Sequence, residues 1–154
     1  MTRAPELSVA EWFNIDEPLT LEQLLGRPVL IHAFQMLCPG CVAHAIPQTQ
    51  KVQATFAKTD LQVIGLHTVF EHHEAMMPTA LKAFLHEYRI GFPVGVDAPT
   101  AHGGVPETMA AYEMRGTPTT ILIDRKGNIA ANMFGQIDDL ALGAMLQGIL
   151  DAAE

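Results

Sequence analysis

Hydrophobic and polar positions divide the chain into alternating elements. Val29–Phe34 is an apolar run with one polar member, His32, the pattern of a strand buried on both faces. Residues 61–69 read the same way, and residues 11–15 read as a short edge strand. Between them, Thr20-x-x-Gln23 is a capping box that opens a helical turn through Leu25, with Gly26 ending it. A helix begins near Pro39, as suits a first-turn proline, and runs to about Lys58. Pro47 lies inside it and kinks it, because it has no N–H for the carbonyl four residues back. Pro78 opens a second helix to about Tyr88, with Leu81, Phe84, Leu85 and Tyr88 on one face. Residues 93–96 are extended, and residues 107–114 are helical and stopped by Gly116. Thr119–Ile123 and Ile129–Phe134 form a hairpin about a turn containing Gly127, and residues 138–152 close the chain as an amphipathic helix. The order β-α-β-α, then β-β-α, predicts a three-layer α/β fold with helices on both faces of a sheet that is parallel at its centre. No repeat or linker interrupts it, so residues 1–154 read as one domain.

Composition narrows the function. The chain is 49% hydrophobic and 17% charged, as folded globular domains are. Its net charge of -8 leaves no basic stripe to neutralise phosphates, which argues against nucleic acid and anionic membrane as partners. No apolar run approaches the roughly 18–20 residues that span a bilayer. Residues 1–14 lack the basic-then-apolar layout of a signal peptide, and the expectation is a cytoplasmic protein.

The two cysteines of the chain stand together, in Cys38-Pro39-Gly40-Cys41. Thiols at this spacing close a disulfide across the first turn of a helix, and outside a secreted scaffold the pattern reads as redox chemistry. With Pro39 opening the helix, the Cys38 sulfur sits at its N-terminus, where unpaired amides and the dipole favour a thiolate, the nucleophile of disulfide exchange. Cys41, one turn further on, is the more buried resolving thiol. The rival readings are a passive disulfide and a zinc site, but structural zinc takes four protein ligands and one cysteine pair supplies two.

Two stretches carry a family resemblance. Residues 24–34, Leu-Leu-Gly-Arg-Pro-Val-Leu-Ile-His-Ala-Phe, lead into Cys38-Pro39-Gly40-Cys41. Far downstream stands Arg115-Gly116-Thr117-Pro118-Thr119-Thr120-Ile121-Leu122-Ile123-Asp124, followed by Lys126-Gly127. In this order they resemble thioredoxin-like proteins, and the chain is most similar to the TlpA/ResA-type thiol–disulfide oxidoreductases, neighbours of the AhpC/TSA peroxiredoxins. The resemblance implies a thioredoxin-like α/β/α fold with a central mixed sheet. It implies that Thr117-Pro118 is a cis pair facing the cysteines, that the Thr117 backbone pairs with an incoming partner beside Cys38, and that Pro39, Gly40 and Pro118 line that docking surface.

The chain departs from the family pattern around these residues. Leu37 replaces the aromatic residue that usually precedes the first cysteine. His32 stands where relatives often carry Asp or Asn; in thioredoxins the acid there helps remove the proton of the second cysteine, which makes His32 either a general base for Cys41 or a core histidine with a structural hydrogen bond. His44, three residues after Cys41, takes the place of a common glutamate and is either a tuning group or solvent-facing. His67, Glu71, His72, His73 and Glu74 cluster after the second long strand, at the strand end where open α/β sheets carry their sites. Their types suit zinc, copper or iron, but neighbours on one loop rarely converge on an ion, and a rim touching substrate or partner is the favoured reading. His102 belongs to another loop.

These features point to a thiol–disulfide oxidoreductase, with Cys38 attacking and Cys41 resolving. Its partners are disulfide-containing or dithiol proteins or small-molecule thiols, which also supply its electrons. No Gly-x-Gly-x-x-Gly follows any strand, so no nicotinamide or flavin is expected, and no metal. A thiol peroxidase of peroxiredoxin-like type is the alternative on the same fold. It calls for Thr three residues before the attacking cysteine and Pro further upstream; Gln35 holds the first position and Pro28 lies too far back. A copper-handling protein using the two soft thiolates and a loop histidine is the remaining alternative.

Overall fold

The computed structural model describes residues 2–152. Six strands form one mixed sheet: β1 (Val9–Phe13), β2 (Val29–Phe34), β3 (Gln62–His67), β4 (Val94–Asp97), β5 (Thr119–Ile123) and β6 (Ile129–Phe134), in the spatial order β1-β4-β3-β2-β5-β6. β2, β3 and β4 run parallel, while β1, β5 and β6 join antiparallel. The central register aligns Ile31 with Ile64 on one side and Ile121 on the other. Four α-helices cover the sheet: α1 (Ile46–Thr55), α2 (Pro78–Glu87), α3 (Glu107–Ala111) and α4 (Asp139–Asp151).

Alternation along the strands splits the core into two layers. Leu30 and Phe34 of β2, Val63 of β3 and Leu122 of β5 pack with Ile46 and Val52 of α1, Leu81, Phe84 and Leu85 of α2, and Leu142 and Leu146 of α4. On the opposite face Val29, Ile31, Ala33, Ile64, Leu66, Ile121 and Ile123 pack with Met109 and Tyr112 and with Leu21 and Leu24. α1 and α2 share a face for a topological reason. The steps β2 to β3 and β3 to β4 move the same way across parallel strands, and right-handed crossovers then place both helices on one side. The three-layer arrangement and mixed sheet expected from the sequence are present.

Several elements differ from expectation in instructive ways. β1 ends at Phe13 rather than Ile15, because Asn14 turns to a positive φ of 64° and its side-chain amide donates to the Ile90 and Phe92 carbonyls at 2.8 and 3.0 Å. The strand read over 61–69 is confined to Gln62–His67. The helix read over 107–114 stops at Ala111, where Glu113 takes a φ of 52° and the Met114 N–H returns to the Met109 carbonyl, before Gly116 is reached. Tyr88 is exposed, although its ring packs on Phe84 with centroids 4.5 Å apart.

The irregularity expected from Pro47 is a widened turn. Helix begins at Pro39, residues Cys41–Ala45 form a π-helical turn, and the Ile46 N–H donates to the Cys41 carbonyl five residues back. The ladder thus loosens immediately before the residue that has no N–H to give.

Candidate active site

The site lies where β2 ends. Buried on both faces, β2 delivers the chain to Gln35, and a turn closed by the Cys38 N–H on the Gln35 carbonyl at 3.0 Å presents Cys38 at the helix start. Cys38 is half-buried and Cys41 is fully buried; both are free thiols with sulfurs 2.7 Å apart. The Cys41 N–H, one of the unpaired amides of the first turn, points to the Cys38 sulfur at 3.3 Å, as the helix-terminus argument requires. Burial pushes the Cys41 thiol up to about 12, and its hydrogen bond with Cys38 adds to the rise; a backbone hydrogen bond from Gln35 and the Thr117 side chain work the other way.

The segment before β5 closes over the pair. The Thr117–Pro118 bond is cis. Cys38 Sγ donates to the Thr117 carbonyl at 3.6 Å, and a Cβ added at Gly40 would meet Pro118 Cδ at 3.6 Å. Cys38, Gly40, Cys41, Thr117 and Pro118, distant in sequence, are therefore in one place, with Pro39 exposed at the first helical position. Leu37, beside the half-buried sulfur, is 52% exposed and forms an apolar lip.

His32 lies on the face of β2 that carries Leu30 and Phe34, as alternation requires, and stacks on Phe34 with centroids 5.3 Å apart; Phe34 belongs to the same core layer as Cys41. Neither ring nitrogen of His32 has a hydrogen-bond partner, and burial pushes its pKa down to about 3. His44 is exposed on the π turn.

The histidine and acid cluster is divided by the fold. His67 is 1% exposed, its Nε2 accepts the Met36 N–H at 3.1 Å, and burial lowers its pKa to about 4. Glu71, His72, His73 and Glu74 are exposed, on a segment with a positive φ at His72 and a short 3-10 turn over His73–Met76. Among the described residues, no three His, Cys, Asp or Glu side chains are placed to hold a metal ion.

Gln35 and His67 have supporting roles at the site that the sequence reading did not give them, His67 being read there as part of an exposed rim. Gln35, 1% exposed, takes the Phe70 N–H on its Oε1 at 3.2 Å and donates from Nε2 to Thr117 Oγ1 at 3.4 Å. His67 holds the segment just before Cys38. A signal for it existed: His67 is in phase with Val63 and Gly65 on a strand whose apolar run marks it as buried, unlike the loop that follows.

The comparisons agree with this geometry. The model of the AhpC/TSA family matches residues 2–132. Among solved structures, the thioredoxin-like superfamily protein SPOA0173 is 57% identical, with 99% of each chain covered and a TM-score of 0.96. A thiol-disulfide isomerase from Corynebacterium glutamicum is 49% identical, over 97% of this chain and 98% of that one, with a TM-score of 0.91. NHL repeat-containing protein 2 of Bos taurus is 27% identical over 82% of this chain, which spans 16% of that protein's length. The thiol-disulfide oxidoreductase ResA of Halalkalibacterium halodurans is 25% identical over 73% of this chain and 57% of its own. No helix among the described residues is long and apolar enough to cross a membrane. With its cysteine pair, its cis proline and these relatives, the chain belongs to the AhpC/TSA family, as a thioredoxin-like member of TlpA/ResA type.

Proposed function

We propose that this domain, residues 1–154, is a thiol–disulfide oxidoreductase in which Cys38 is the attacking sulfur and Cys41 the resolving one. The observation that carries the reading is the unequal burial of two sulfurs in contact: one reachable from solvent beside the Thr117 carbonyl, the other enclosed behind it. Relatives bearing the thiol–disulfide oxidoreductase and isomerase names support the class of reaction.

The steps balance as follows. The Cys38 thiolate attacks one sulfur of a partner disulfide. A Cys38–partner bond forms, and the other partner sulfur leaves as a thiolate that takes a proton. Cys41 then loses its proton and attacks Cys38 Sγ. The second partner sulfur departs as a thiolate that takes a proton, and the Cys38–Cys41 dithiol, now a disulfide, has given two electrons to the partner. Run in reverse, the same steps oxidise a dithiol. A second dithiol protein or small-molecule thiol restores the reduced pair.

His32 is the acceptor for the Cys41 proton in this scheme. It is neutral near pH 7, so one of its two unpartnered ring nitrogens is a free acceptor in that core layer. Thr117 and Pro118, with Pro39 and Gly40 opposite, form the docking edge for the partner, and the exposed Leu37 gives it an apolar border. Peroxide reduction is the weaker reading. Gln35 stands where a peroxidase carries its Thr, and the Gln35 amide is already engaged by Phe70 and Thr117.

A trapping experiment tests the assignment. Cys41→Ser, incubated with reduced-and-reoxidised insulin as a disulfide probe, accumulates a covalent adduct through Cys38; Cys38→Ser accumulates none and loses all insulin reduction. An adduct formed through Cys41, or rapid peroxide consumption without any disulfide exchange, overturns it.

A further inference from the structure

Gln35 ties three loops together. Its carbonyl accepts the Cys38 N–H at 3.0 Å, its Oε1 accepts the Phe70 N–H at 3.2 Å beyond β3, and its Nε2 donates to Thr117 Oγ1 at 3.4 Å before β5. The Phe70 N–H can only donate, so the side-chain oxygen faces it and the NH2 faces Thr117. Gln35 is 1% exposed, so water does not compete for these bonds. The segment around Thr117 is also fastened to its own hairpin: Thr119 Oγ1 donates to the Gly116 carbonyl at 2.7 Å, and the Gly135 N–H to the Pro118 carbonyl at 2.8 Å. Neither of those bonds reaches the Cys38 loop. Two that do are the Cys38 Sγ bond to the Thr117 carbonyl and the Gln35 bond to the Thr117 hydroxyl. They behave differently as the reaction starts. Capture needs Cys38 as a thiolate, which has no proton to donate and repels a carbonyl oxygen. The Gln35 bond contains no sulfur and outlasts that change.

We propose that Gln35 is a positioning residue for partner capture: its amide holds the Thr117 edge against the Cys38 loop while Cys38 is a thiolate and its own bond to that edge is gone. The inference rests on the proposed function, with Cys38 as the attacking sulfur and Thr117 as the docking edge. Its physical content is preorganisation. An edge already fixed beside the sulfur needs no further ordering when an extended partner lies along it, whereas a loosened edge must be ordered at every encounter. The Gln35 amide is engaged by Phe70 and Thr117, so it acts through Thr117. The effect therefore depends on the class of substrate. A protein disulfide brings backbone that can lie along Thr117; a small aromatic disulfide brings none and reaches the sulfur without using the edge.

Two disulfide probes separate this role from general support of the fold, which would slow both. Ellman's reagent has no peptide backbone; Cys38 releases one thionitrobenzoate on capture, and Cys41 releases a second on resolution. Insulin, with dithiothreitol restoring the reduced pair, presents its disulfides on backbone. Gln35→Met, of similar length but without hydrogen bonds, raises the KM for insulin about tenfold, the upper range of one net hydrogen bond, and leaves kcat and the first Ellman phase within about twofold of the parent. Thr117→Val, which removes the hydroxyl and keeps the carbonyl, raises that KM similarly, and the double variant is no worse than either alone, because both break the same bond. Thr117→Val carries the test if Gln35→Met fails to fold. The proposal is overturned if either variant keeps the parental KM, if the first Ellman phase of Gln35→Met slows as much as its insulin reduction, or if the two substitutions multiply. A parent protein that is captured by Ellman's reagent yet reduces no insulin overturns the proposed function, and this proposal with it. A parent that reduces insulin, with a Gln35→Met variant indistinguishable from it, overturns the proposal alone.

Discussion

His32 and His67 occupy neighbouring strands and bracket the same phenylalanine. One stacks on Phe34 nearly parallel, at 8° and 5.3 Å; the other meets it tilted, at 45° and 5.1 Å. Both are buried, and burial lowers both, to about 3 and about 4, so both are neutral at pH 7. They differ in what their nitrogens do. His67 accepts the Met36 N–H and so pins the segment that leads to Cys38, whereas His32 bonds to nothing. A buried polar group without a partner costs about 1–3 kcal/mol, and one that persists calls for a role outside the architecture. The difference gives His67 a structural tie beside the site and leaves the His32 nitrogens without one, as the proton-acceptor role proposed for it requires.

Acid is the harshest way to probe this pair. A histidine whose folded pKa lies below its unfolded value of about 6.5 takes up its proton only in the unfolded chain over the interval between them. Stability is therefore full above pH 6.5 and falls with pH, from both groups down to about 4 and from His32 alone down to about 3. Each contributes a slope of about 1.4 kcal/mol per pH unit, or nearly 3 together. Asp97 runs the other way, since burial holds its carboxyl above the ordinary range, and comparison with single-histidine variants removes its contribution. Urea unfolding of the parent, His32→Leu and His67→Gln at pH 7 and pH 5 reads the slopes. Equal pH dependence in all three means that neither ring is held neutral by the fold.

A neutral-pH comparison separates the two roles. His67→Ala removes a buried ring and strands the Met36 N–H, for a loss of about 3 kcal/mol. The loosened segment also carries Cys38, so capture in the Ellman assay slows with it. An undisturbed melting temperature together with unchanged capture would show that the Met36 contact holds nothing in place.

What could be read beforehand follows from the range of the interactions. Val29–Phe34 is legible because a strand buried on both faces needs a run that is apolar almost throughout, β5 and β6 because two such runs flank a turn containing Gly127, and α4 because its apolar positions follow a helical period; the Asp138 side chain, which caps α4 by accepting from the Ala141 N–H at 3.0 Å, adds a start signal that the reading did not use. Cys38 and Cys41 declare themselves by spacing, but Thr117 reached the site only through resemblance, since nothing local in its sequence points 79 residues back to Cys38. In the sequence Gln35 is only the absence of a Thr, because its three partners come from three loops that only the fold assembles. His67 groups with Glu71, His72, His73 and Glu74 by proximity in sequence, but it is the buried end of β3 and they lie on the exposed segment after it. The π turn before Pro47 illustrates the same limit: a proline announces that the ladder must break, not whether it bends or widens.

The smallest expected effect is the sharpest, because its two readouts move in opposite directions. His32→Leu replaces the ring with an apolar side chain of comparable size in a layer already made of Leu30, Phe34 and Leu122. If His32 were structural, the change would destabilise and would touch exchange only through stability. With both nitrogens unpartnered, removing them relieves a desolvation cost, and stability at pH 7 rises by about 1 kcal/mol. On the proposed scheme the resolving step loses its proton acceptor at the same time. General bases contribute a hundredfold or more when their pKa lies near the working pH, and a ring held near 3 contributes less, so the second Ellman phase slows about tenfold while capture by Cys38 is unchanged. A more stable variant with slower resolution confirms the division between the two histidines. A less stable variant that resolves at the parental rate makes His32 a second His67, and the proton of Cys41 must then leave by way of Thr117 or solvent.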